Sequence, residues 1–114
     1  MALTMSKLET LYAMLVNEAR IISAGSDHRN WFPCGSAYLQ VDGRSPIVTF
    51  LKKNPMNSRF HLMKAQRGYW LTAKLDWKDV YEAQNQGYSI RVHEALQKLL
   101  LDEGISSDVC SYID

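Results

Sequence analysis

Residues 59–75 read RFHLMKAQRGYWLTAKL. Two runs rich in aromatic and aliphatic residues, 59–65 and 69–75, flank Gln66-Arg67-Gly68. A three-residue loop with glycine free to take positive φ is a hairpin connection, so the stretch predicts two antiparallel strands. Strand side chains alternate between faces. In the second strand Tyr69, Leu71, Ala73 and Leu75 therefore share one face, and Trp70, Thr72 and Lys74 share the other. His61 and Met63 of the first strand can join that second face.

Toward the N-terminus, residues 36–42, SAYLQVD, alternate in the same way. Ala37, Leu39 and Val41 point one way; Tyr38, Gln40 and Asp42 point the other, as in a half-buried strand. Gly43 turns the chain. Ser45-Pro46 reads as an N-cap followed by proline in the first helical turn. Ile47, Phe50 and Leu51 then fit a short helical stripe that stops at Asn54-Pro55, although Val48, Thr49 and Phe50 would also suit a strand. Residues 25–35 are an irregular connection; Trp31 and Phe32 within it either fold back over the core, which the area an aromatic gains by burial favours, or form a contact surface.

Toward the C-terminus, residues 76–88 are either a short helix capped by Asp76 or a polar loop. Residues 89–103 carry Val92, Ala95, Leu96, Leu99 and Leu100 on one helical face, with Ser89 placed to cap the start and Gly104 to close the end. Ile105, Val109 and Ile113 mark a last strand over 105–113. A first helix over 6–24 precedes all of this. Its stripe is Leu8, Leu11, Tyr12, Leu15, Ala19 and Ile22, Ser6 and Glu9 have capping-box spacing, and Gly25 stops it.

The element order after the first helix is β-α-β-β-α-β, the split βαβ or ferredoxin-like arrangement. The expectation is a single α+β domain spanning 1–114. It comprises an N-terminal amphipathic helix and a core over 34–114 with an antiparallel sheet. In that arrangement the helices cover one sheet face and leave the other open. The first helix either extends the helical layer or covers the open face. A strongly amphipathic helix needs a partner surface, which favours covering the open face and would make Tyr38 and Trp70 core residues.

The 114 residues are 46% hydrophobic and 22% charged, with a formal net charge of +1. That is globular composition, without the basic excess of a general nucleic-acid binder or the acidity of a DNA mimic. Met1–Lys7 has no basic stretch followed by an apolar core, and no apolar run reaches the ~20 residues a membrane span needs. A cytoplasmic protein is expected, with Cys34 and Cys110 reduced and packed as small hydrophobes.

Catalytic motifs are sparse. His28, His61 and His93 have no zinc spacing; His93-Glu94 begins an H-E-x-x-H motif, but position 97 is Gln97. Neither glycine-rich phosphate-loop pattern occurs. Cys34 has no nucleophile signature around it, so thiol catalysis ranks last. The reading is binding rather than catalysis, with no cofactor. The candidate binding residues are Tyr38, Gln40, His61, Arg67, Trp70, Thr72 and Lys74. Aromatic side chains with a lysine on an open sheet can stack a nucleotide or single-stranded nucleic acid. Arg67-Gly68-Tyr69 resembles the opening of the RNP1 motif of RNA-recognition domains. Trp70 and Leu71 then depart from it, and RNP1 would put Tyr69 and Leu71 on the RNA face, opposite to the alternation read here.

Cys34-Gly35-Ser36-Ala37-Tyr38-Leu39-Gln40-Val41 resembles the C-G-x-A-[WY]-V segment of a group of small, uncharacterised tailed-phage proteins. Those proteins continue with a segment like Ile47–Asn54, an aromatic strand like Tyr69–Leu75, a glutamine-bearing loop (here Gln86) and a helix like His93–Leu101. They close on S-R-L-D, where this chain has Ser111-Tyr112-Ile113-Asp114. Ser36 stands where the group has phenylalanine, and Tyr112 where it has arginine. The resemblance spans residues 32–114 and implies a phage or prophage gene; no activity or functional residue carries over with it.

Two functions follow as expectations. One is a phage accessory protein that binds and blocks or redirects a host protein, such as a component of a CRISPR defence system. The other is a nucleic-acid or nucleotide binder, including one that sequesters a signalling nucleotide. The second requires Tyr38 and Trp70 exposed near Lys74 and Arg67; the first requires an apolar surface patch. An exposed edge at 105–113 would also suit a homodimer.

Overall fold

A computed structural model describes residues 3–25, 35–75 and 86–113. Helix α1 spans Met5–Gly25, strand β1 Gly35–Val41, helix α2 Pro46–Lys53, β2 Phe60–Lys64, β3 Tyr69–Ala73, α3 Gln86–Asp102 and β4 Asp108–Ile113. The fold is α+β: an N-terminal helix, then β-α-β-β-α-β. The four strands form one sheet in the order β2-β3-β1-β4, and every neighbouring pair is antiparallel. β1 and β3 are central, as the ferredoxin-like arrangement expects. None of the described helices is long and apolar enough to cross a membrane.

One apolar cluster joins the layers. Leu39 and Val41 of β1, Phe60 of β2 and Leu71 of β3 meet Leu8, Leu11, Leu15 and Ala19 of α1, Ile47, Val48 and Leu51 of α2, and Val92, Leu96 and Leu100 of α3. All three helices therefore cover the same sheet face, and α1 packs beside α3. This corrects the expected placement of the first helix over the open face. The stripe on α1 finds its apolar partners in α3 and in the Leu39–Leu71 face, so it does not need the other side of the sheet. Lys7 pairs with Glu103 where α1 starts and α3 ends. Tyr12 anchors the middle of α1: its hydroxyl donates to the Lys74 carbonyl at 2.6 Å, and its ring meets Phe60 edge-on at 5.9 Å.

Several element ends differ from the sequence reading. Thr4, not Ser6, caps α1, with its Oγ1 accepting the Lys7 N–H at 3.1 Å. Glu9 is thereby released to receive Arg59 Nε, which lies 3.0 Å from each carboxylate oxygen. α3 begins at Gln86, so Ser89 lies inside the helix rather than capping it. β3 ends at Ala73, and β4 starts at Asp108 rather than 105. Ile105 instead closes α3. Its N–H bonds the Leu100 carbonyl and the Gly104 N–H bonds that of Leu101, both at 2.9 Å, with Gly104 at φ 78°. That is a Schellman ending, which leaves Ile105 buried in the core. Trp31, Phe32 and residues 76–85 lie outside the described residues.

Candidate functional site: the open sheet face

The registers set the open face out in rows across the strands. Met63 lies opposite Trp70, Trp70 opposite Gln40, and Gln40 opposite Asp108. In the next row His61 lies opposite Thr72, and Tyr38 opposite Cys110. Strand alternation puts these side chains on the side away from the helices. Tyr38 and Trp70 are diagonal neighbours on β1 and β3, close enough for aromatic contact. Their rings stack with centroids 4.3 Å apart and planes 26° apart. Both are half-buried, as are Gln40, Thr72 and Cys110, whereas His61 is exposed and Met63 is 49% exposed.

The polar groups sit at the margins. Gln40 Nε2 donates to the Arg67 carbonyl at 3.0 Å, tying β1 to the hairpin loop. The exposed Arg67 borders an open pocket of about 330 Å³ at that end of the sheet, lined also by Gln40, Asp42, Gly43, Gly68 and Asp108. Asp42 turns its Oδ1 to the Arg44 N–H at 2.7 Å. Lys74 takes another course. Its Nζ donates to the Asn57 carbonyl at 3.1 Å, at the end of the hairpin away from Arg67. Of the seven candidates, Tyr38, Gln40, His61, Trp70 and Thr72 share the face. Arg67 sits at its corner, and Lys74 is drawn off toward Asn57.

Asp108 and Cys110 also belong to this face, although neither was a candidate. The signal was present: Val109 as an inward point of the last strand leaves 108 and 110 pointing outward. β4 pairs with β1, as the ferredoxin-like arrangement expects, and this sets Asp108 and Cys110 beside Gln40 and Tyr38.

The described residues contain no group of three histidine, cysteine or acidic side chains able to hold a metal. Cys34 and His28 lie outside the described residues. His93 is buried in the inner face of α3, and its Nδ1 is 2.8 Å from the Ser89 carbonyl. A carbonyl only accepts, so Nδ1 carries the proton in the neutral ring. Burial lowers the His93 pKa from its ordinary value, and the bond to Ser89 opposes this only in part. No family model, curated protein or solved structure matches this chain.

Proposed function

We propose that this chain is a non-catalytic binding protein that docks another protein on its open sheet face. The observation that carries this reading is the Tyr38–Trp70 stack flanked by exposed Met63, a largely uncharged surface with polar groups at its rim. Aromatic residues and methionine are enriched at the centres of protein interfaces, where charged residues are depleted. A polyanion would be served differently. Lys74 is occupied by the Asn57 carbonyl, and Asp108 stands in the same row as Trp70, where it repels phosphate. In the phage or prophage setting that the sequence resemblance implies, the partner is a host protein that the chain blocks or redirects. A component of a defence system such as CRISPR is the class to examine first.

The test is affinity capture from host lysate, followed by titration of the captured protein. Wild type should retain one stoichiometric partner. Trp70→Ala should weaken its binding by about 30-fold or more, the effect of losing a central aromatic anchor. A partner bound equally well by Trp70→Ala and Met63→Asp would remove the face from the interaction. Salt-sensitive quenching of Trp fluorescence by single-stranded oligonucleotides, lost in Tyr38→Ala, would replace the protein partner with a nucleic acid.

A further inference from the structure

The two edges of the sheet are not alike. On β2 the Phe60 N–H, directed away from β3, is taken by Asn57 Oδ1 at 2.7 Å, and exposed Lys64 stands at the other end of the strand. A capped donor and a lysine are ways of blunting a sheet edge. On β4 the only charged residue is Asp108 at its first position, and the strand has no proline.

The direction of the β4 backbone groups follows from Ala37. Ala37 lies opposite Ser111, yet its N–H goes to Ser89 Oγ rather than to β4. The Ala37–Ser111 pair is therefore a non-hydrogen-bonded one. Antiparallel alternation then turns the N–H and C=O of Val109, Ser111 and Ile113 away from β1, toward the free edge. Among the described residues no group is bonded to Val109 or Ser111 from that side.

These three positions are symmetric about Ser111. We infer that the β4 edge is a homodimer interface, in which a second copy pairs antiparallel across a two-fold axis at Ser111. Ser111 then faces Ser111 of the second copy, and Val109 faces Ile113 of the second copy at both ends. Each of these is a hydrogen-bonded pair exchanging both its bonds, so every outward group from 109 to 113 is satisfied. Val109, half-buried and packed against the core, lies at each end of the paired stretch. Asp108 lies beyond the paired stretch. A two-fold axis perpendicular to the sheet keeps both open faces on one side. It sets the two Tyr38 residues three strand spacings apart, roughly 14 Å across the strands. The inference stands on the backbone of β4 and does not rest on the proposed function.

Sedimentation equilibrium of the full chain tests it. Wild type should reach twice the 13.1 kDa chain mass in the micromolar range. Exposed Ser111 is the residue on the axis. Ser111→Lys and Ser111→Glu should each sediment at the single-chain mass, because like charges face one another directly. An equimolar mixture of the two should recover the doubled mass. Ser111→Pro, which removes an outward N–H and none donated to β1, should also be monomeric. A wild type that stays at the single-chain mass overturns the inference. So does a dimer that persists in both charged variants, or a Lys/Glu mixture that fails to reassociate.

Discussion

Ser89 Oγ accepts the Ala37 N–H at 2.9 Å, so a helix side chain completes the sheet where β1 runs beyond its pairing with β3. β1 pairs with β3 only from Leu39 to Val41, while its pairing with β4 continues to Gly35. Without the Ser89 hydroxyl the Ala37 N–H loses this buried acceptor. Ser89→Ala should therefore cost about 1 kcal/mol, the net contribution of a buried hydrogen bond. Urea unfolding should show a lower midpoint with an unchanged slope.

Gly68 is held by two independent constraints. Its φ is 65°, and a Cβ there would lie 2.3 Å from the Val41 carbonyl oxygen, a backbone atom that cannot step aside. Gly68→Ala should destabilise by more than about 1 kcal/mol, since the native conformation does not suit a side chain. Thermal denaturation checks this. An unchanged melting temperature would mean the hairpin loop relaxes away from β1.

The Tyr38–Trp70 stack should couple the two residues energetically. A double-mutant cycle with Tyr38→Ala and Trp70→Ala should give an interaction energy of about 0.5–1.5 kcal/mol beyond lost burial. Additive single effects would show that the rings stand on the sheet independently.

His93 should make stability depend on pH in one direction. Its folded-state pKa lies below the unfolded value of 6.5 because burial disfavours the imidazolium. The unfolded chain therefore binds the proton more readily. The contribution of the neutral ring is fully present above pH 6.5 and is lost as pH falls through the lower folded-state value. Stability of the wild type should decline below pH 6.5, and His93→Gln should remove that part of the slope. Equilibrium unfolding at a series of pH values measures both.

Much of the candidate site was legible before any tertiary information. The alternation in SAYLQVD and YWLTAKL put Tyr38, Gln40, Trp70 and Thr72 on one face because strand side chains have a period of two, which is a local property. Lys74 was legible as a face residue but not as one engaged elsewhere, since Asn57 is distant in sequence and meets it only through the hairpin. Asp108 and Cys110 needed the β1–β4 register, which no local pattern contains. The helix caps failed for a related reason. Ser6 and Ser89 have capping chemistry, but Thr4 and an earlier start at Gln86 left them inside their helices, and Ser89 was recruited by the sheet.

The sequence by itself determined the elements, their order and which side of each strand is apolar, because periodicity and turn chemistry act over a few residues. Only the tertiary structure decided that α1 lies beside α3 and leaves the Tyr38–Trp70 face uncovered by any described helix. An amphipathic stripe specifies that a helix must be covered, not by what. The covering surface is the one whose shape and apolar area fit best once the whole chain has packed.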